Sequence, residues 1–64
     1  MALVDSATHH DLNNHLAAIE NFALFVHEAL AEAVAHGHAE WAQALRDIEQ
    51  VQEAATQASA VVNQ

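Results

Sequence analysis

Apolar residues recur along the first half of the chain at alternating steps of four and three, the spacing of a helix face that packs against other helices. This first row consists of Leu12, Leu16, Ile19, Ala23, Val26, Leu30 and Ala33. A second apolar row runs beside it and widens the face enough for two neighbouring helices. Its members are Ala18, Phe22, Phe25 and Ala29. The pattern predicts a long first helix from about residue 5 to about residue 36, capped at its N terminus by Asp5 or Ser6.

A single break follows this helix, and a second helical pattern begins after it. Gly37 is the only glycine in the chain, and proline is absent. We expect Gly37 to adopt the left-handed conformation that closes a helix C terminus, with a turn at about residues 37–38. The second helix is predicted from about residue 39 to about residue 62. Its inward row is Trp41, Ala44, Ile48, Val51, Ala55, Ala58 and Val62.

Two helices joined by so short a turn predict an antiparallel helical hairpin, which is an all-α fold in a single domain over residues 1–64. A chain of 64 residues has a small core, and the absence of cysteine excludes disulfides as a supplement. An isolated hairpin would also leave the second apolar row of helix 1 in water, since aromatic residues at helical spacing usually belong to a core. We therefore expect the hairpin to form a homodimer with the architecture of a four-helix bundle.

The charge of the chain narrows the choice of partners. Nine acidic residues against one basic residue give a formal net charge of −8, whereas nucleic acids and anionic membranes require clusters of Lys and Arg. No signal-peptide pattern opens the chain, and no apolar run approaches the roughly 20 residues of a membrane span. We expect a cytoplasmic protein without a membrane span and without nucleic-acid binding. The six histidines are interpreted as parts of solvated helix faces rather than as a pH switch.

The candidate chemistry is concentrated near the start of helix 1. His10 and Asn14 lie one helical turn apart, and Ala17 and Asn21 continue the same stripe. This stripe lies beside the apolar row, so His10 is expected to face water, next to the carboxylate of Asp11. An imidazole held on a rigid helix outside the core is accessible to a partner that must reach its nitrogen.

The segment His10-Asp11-Leu12-Asn13-Asn14, followed by Leu16-Ala17-Ala18-Ile19, resembles the H-box of two-component sensor histidine kinases. The likeness extends over nearly the whole chain, because a long first helix, a short turn and an alanine-rich second helix resemble the dimerisation and histidine-phosphotransfer module of that family. The resemblance implies that His10 carries the phosphoryl group and that Asp11 assists as a general base. It also implies that Asn14 orients the water that dephosphorylates a response regulator.

The same resemblance implies the partners of the module. They are a second copy of the chain, the receiver domain of a response regulator, and an ATP-binding domain in cis or in trans. Asn13, Ala17 and Asn21 surround the site and are expected to contact the partner. The chain has no counterpart of the family's ATP-binding domain, so we expect no cofactor and no use of ATP by this chain alone. It departs from the family pattern at His9 and His15, and His9 is a second candidate acceptor.

Two alternatives remain at this stage. The first is a helical-bundle interaction protein without chemistry of its own, which pairs with a histidine kinase or inhibits it. The second is a metal-binding bundle, which would use histidine–carboxylate pairs four residues apart or the turn with His36 and His38. The candidate pairs are Asp5 with His9, Asp11 with His15, and Glu32 with His36. We expect no metal site, because such bundles usually present Glu-x-x-His on inward faces and the chain has no such motif.

Overall fold

The computed structural model describes residues 6–63, which form two α-helices joined by a tight turn. Helix α1 spans Ser6–Ala35 and helix α2 spans Ala42–Val62, and no strand occurs between residues 6 and 63. The helices lie side by side and antiparallel, so the molecule is a rod with extents of 51 × 16 × 14 Å. The predicted all-α hairpin is confirmed.

The end of α1 has the conformation predicted from the single glycine. Gly37 has a φ of 99°, in the left-handed region. The amide of Gly37 donates to the carbonyl of Val34 at 3.1 Å, and the amide of His38 donates to the carbonyl of Ala33 at 3.0 Å. These two bonds form a Schellman motif, which satisfies carbonyls that the helix end would otherwise leave without partners. At the other end, the cap predicted at Asp5 lies outside the described residues, as does the side chain of Ser6.

The second helix begins differently from the prediction. Residues 39–41 form a 3₁₀ turn, and α-helical geometry starts only at Ala42. The amide of Trp41 donates to the carbonyl of His38 at 3.0 Å, and Trp41 has φ −92° and ψ 0°, outside the α-helical region. A 3₁₀ turn closes a hydrogen bond over fewer residues than an α-turn, so it fits the sharp reversal that follows Gly37.

The face of α1 that packs against α2 is rotated from the predicted apolar row. The covered or half-covered residues at alternating steps of four and three are His9, Asn13, Leu16, Glu20, Ala23, His27, Leu30 and Val34. Three members of the predicted row, Leu12, Ile19 and Val26, are 38%, 46% and 44% exposed. Within the single hairpin α2 therefore does not cover these three residues, because it covers the polar neighbours of the row instead.

The most deeply buried residues of the two helices are small. Ala23 and Ala55 are 3% and 6% exposed and are the only buried apolar residues among those whose side chains the structure describes. An alanine at each position permits close contact between helices, although each contributes little buried area. On α2 the covered row is Leu45, Ile48, Gln52, Ala55, Ser59 and Val62. Val51 and Trp41 were predicted to face inward but are 44% and 48% exposed.

The rotation leaves a continuous group of apolar side chains open on one side of the hairpin. We call it the open apolar face; it consists of Leu12, Ile19, Phe22 and Val26 on α1 and Val51 on α2. Phe22 is 69% exposed and Phe25, further around α1, is 64% exposed, so neither phenylalanine is a core residue of the single hairpin. Within residues 6–63, neither helix combines the length and the apolarity needed to cross a membrane.

Candidate functional site

His10 and Asn14 lie on successive turns of α1, and both side chains are exposed. The Nδ2 atom of Asn14 is 3.4 Å from Nδ1 of His10, a long hydrogen bond in which the amide donates to the ring nitrogen. Residues four apart on an α-helix are neighbours on its surface, so the helix itself brings this pair together. The contact leaves Nε2 as the ring nitrogen that Asn14 does not engage.

The surroundings of His10 are open along the helix. Ala17 and Asn21 are exposed, as expected of a stripe that faces away from α2, and Asp11, the residue after His10, is also exposed. The methyl group of Ala17, two turns after His10, leaves room for an approaching partner. Asn13 is different, because it is half-buried on the row that faces α2. The structure thus places Ala17 and Asn21 on the exposed side with His10, whereas Asn13 is half-buried.

The two adjacent histidines have different environments. His9 is half-buried, whereas His10 is exposed. Consecutive residues on an α-helix are about 100° apart, so the two side chains cannot share one face. A partner that approaches the outer side of α1 therefore meets His10 first.

A shallow groove of about 280 Å³ runs between the helices on the side of the hairpin nearest this stripe. We call it the polar groove; it is lined by Glu20, Asn21, Leu24, Gln52 and Thr56. Of these residues, sequence reasoning had selected only Asn21. The others carry no motif, and two of them belong to α2, so they could be identified only once the pairing of the helices was known. The polar groove begins at Asn21, which is 11 residues after His10, or about 16 Å along the helix axis at 1.5 Å per residue.

Two polar pairs connect the helices. Ser59 donates its hydroxyl hydrogen to Oε1 of Glu20 at 2.6 Å, in a partly buried position beside the polar groove. Nearer the turn, Nε2 of His27 is 3.1 Å from Oε2 of Glu49, in an exposed position. Of the two pairs, only Ser59 with Glu20 is partly buried, and there the hydroxyl gives the carboxylate the hydrogen-bond partner that a covered polar group requires.

No group of three His, Asp or Glu side chains within residues 6–63 is arranged to hold a metal ion. Near the turn, Nδ1 of His38 is 3.1 Å from Oε1 of Glu40, a local pair of exposed side chains. The pair of Asp5 with His9 extends outside the described residues.

Comparisons of the chain with models of known protein families, with curated proteins and with solved structures find no match. The case for a function therefore rests on the site and on the fold that holds it.

Proposed function

We propose that the chain is a histidine phosphotransfer and dimerisation module of two-component signalling, with the phosphoryl group carried on His10. The observation that carries the proposal is an exposed imidazole on a long helix, with Asn14 against one of its ring nitrogens and the sequence of an H-box around it. Asp11 supplies the adjacent carboxylate that assists as a general base. This assignment would place the module in the cytoplasm, together with its receiver.

The phosphoryl transfer requires mainly that His10 and the aspartyl phosphate are held in the correct relative position. The lone pair of Nε2 of His10 attacks the phosphorus of a receiver's aspartyl phosphate, and the N–P bond forms. The P–O bond to the aspartate breaks, and its electron pair leaves with the carboxylate. The reverse step returns the phosphoryl group to the receiver. An in-line transfer of this kind depends mainly on holding donor and acceptor in place, and a helix of 30 residues provides a rigid support.

The accessible stripe and the polar groove support docking of a receiver on this side of the hairpin. Ala17 leaves space beside His10, and Asn21 joins the stripe to the polar groove. A helix or loop of the receiver that lies in the polar groove would meet Gln52 and Thr56 as hydrogen-bonding partners and Leu24 as an apolar contact. We propose Asn21 and Ala17 as contact residues and assign Asn13 to the support of α1 against α2.

The exposed area of the chain supports a homodimer. The hairpin exposes 4856 Å², whereas a compact monomer of 6.9 kDa exposes about 4,000 Å². The difference of roughly 850 Å² reflects the elongated shape of a two-helix rod that leaves large apolar side chains uncovered, and a stable interface needs ~800 Å² from each partner. The open apolar face provides side chains suited to such an interface. We propose that two copies pack these faces together into a four-helix bundle, which leaves the polar groove and His10 on the outside.

The experiment that tests the proposal is a transfer assay with the full chain. The chain is incubated with a receiver domain phosphorylated at its aspartate, or with a histidine-kinase ATP-binding domain and ATP. We expect acid-labile, base-stable phosphate on the wild type and on His9→Ala, and none on His10→Ala. Circular dichroism of both variants should match the wild type, because neither substitution removes an apolar core residue.

The outcomes separate this function from the alternative of an interaction protein without chemistry. Binding of a kinase domain without any label on the chain would support that alternative. Label retained by His10→Ala and lost by His9→Ala would refute the assignment of the acceptor residue.

A further inference from the structure

The side chain of Asn14 contacts the ring nitrogen of His10 that faces along the helix, and this contact has a chemical consequence. A neutral imidazole carries its proton on one nitrogen and a lone pair on the other. A neighbour that donates to Nδ1 favours the tautomer with the proton on Nε2, and a neighbour that accepts from Nδ1 favours the tautomer with the lone pair on Nε2. Whatever engages Nδ1 therefore decides whether Nε2 can act as a nucleophile.

We propose that Asn14 is a positioning residue for His10, which holds the imidazole through Nδ1 and thereby confines phosphoryl exchange to Nε2. The catalytic part of this inference rests on the proposed phosphotransfer function, whereas the contact between Asn14 and His10 is present in the chain without any partner. Asn14 Nδ2 lies 3.4 Å from His10 Nδ1, and because an amide nitrogen can only donate, this contact favours the ring tautomer with its proton on Nε2.

A carboxamide suits this role because it has a donor at one end and an acceptor at the other. A half-turn of the Asn14 amide brings Oδ1 against Nδ1, where it accepts a hydrogen bond from Nδ1–H. The lone pair then resides on Nε2, and attack on phosphorus leaves the ring proton on Nδ1, where the amide oxygen stabilises it. The same side chain thus holds the ring in the resting form and in the reactive form, whereas the carboxylate of Asp11 can only accept a hydrogen bond.

The role differs from the one implied by the family resemblance, in which Asn14 orients a water for receiver dephosphorylation. An effect on water alone would leave the unphosphorylated ring of His10 unchanged in every Asn14 variant. A positioning role predicts a change in that ring before any phosphoryl donor is added.

The test is nitrogen-15 NMR of the imidazole rings in the unphosphorylated chain, at a pH where the rings are neutral. The variants are Asn14→Ala, which removes the contact, and Asn14→Asp, which can only accept from Nδ1–H. His10 is assigned from the signal missing in His10→Ala, and the exposed His36 near the turn is the internal reference. We expect the ratio of Nδ1–H to Nε2–H in His10 to rise from wild type to Asn14→Ala and again to Asn14→Asp. Each step should be about two- to tenfold, the size expected of one exposed hydrogen bond.

Identical tautomer ratios in the wild type and Asn14→Ala, or an Asn14→Asp ring without excess Nδ1–H, would overturn the proposal. A second arm uses phosphoramidate as a small phosphoryl donor and compares the two phosphohistidine isomers at His10. We expect the Nε2 isomer in the wild type and Asn14→Asp, and a mixture in Asn14→Ala, while the same mixture in all three would overturn the proposal. Because neither arm needs a receiver, a failure of transfer from a receiver would count against the proposed function and not against the contact.

Discussion

The open apolar face predicts that one substitution on α1 will disrupt the proposed dimer while an equivalent substitution on the opposite side will not. Ile19 and Leu24 are 46% and 47% exposed in the single hairpin. They are five residues apart, which places them about 140° apart around the helix. Ile19 belongs to the open apolar face, and Leu24 lines the polar groove. The variants Ile19→Asn and Leu24→Asn therefore introduce the same side chain at positions of equal exposure that face different surroundings.

The expected magnitudes follow from these exposures. Full burial of an isoleucine or leucine side chain is worth about 1.5–3 kcal/mol, so the covered half of either residue contributes about 1 kcal/mol to the hairpin. Both variants should lose this amount. In the dimer, Ile19→Asn also loses the burial of the open half, about 1 kcal/mol per copy. It further leaves a buried amide without partners, at about 1–3 kcal/mol per copy. The two copies together lose about 4–8 kcal/mol of association free energy, which is at least a thousandfold in the dimer dissociation constant.

Sedimentation velocity over a concentration series measures the dissociation constant, and circular dichroism at the same concentrations measures helix content. We expect the wild type and Leu24→Asn to be dimers at micromolar concentration and Ile19→Asn to be a monomer with reduced helix content. Equal weakening by the two variants would refute the assignment of the open apolar face as the dimer interface. A compact, fully helical wild-type monomer at micromolar concentration would refute the dimer itself.

Two further predictions concern the stability of the hairpin. Ser59→Ala removes the donor to the partly buried carboxylate of Glu20 and should lower the free energy of unfolding by about 1 kcal/mol, or Tm by about 4–8 °C. Glu49→Gln should lower it by less than ~0.5 kcal/mol, because the pair of Glu49 with His27 is exposed. Thermal unfolding by circular dichroism compares the two, and equal losses would show that burial does not decide the value of these polar contacts. Gly37→Ala should cost about 1–2 kcal/mol from the left-handed backbone alone, since an added Cβ at this position would meet nothing within 4 Å. Urea unfolding checks this value, and a neutral substitution would mean that the turn can change conformation freely.

The local features of the fold could be predicted from the sequence because they depend on short-range physical chemistry. Two helices and the place of the turn can be predicted from three features of the sequence. Apolar residues recur at alternating steps of three and four, proline is absent, and there is a single glycine. The left-handed conformation of Gly37 follows from the freedom of a residue without a Cβ at a helix C terminus. The proximity of His10 to Asn14 follows from helical periodicity alone.

The rotation of α1 against α2 was decided only by the tertiary structure. The row through Leu16, Ala23 and Leu30 borders an apolar side with Ile19 and a polar side with Glu20, and either side can face a neighbour. The periodicity of one helix does not say which neighbour covers which side. The hairpin brings the polar side against α2, because Ala23 and Ala55 permit close approach and the polar residues of the two helices pair there.

The same rotation produced the two surfaces that the proposed function uses and that the sequence did not reveal. The polar groove combines residues from both helices, such as Leu24 and Thr56, that are far apart in the chain and carry no motif. The open apolar face exists because α2 covers the other side of α1. A sequence determines which residues a helix carries on each side, but the side that stays exposed depends on contacts between segments distant along the chain, and these are established only when the helices pack.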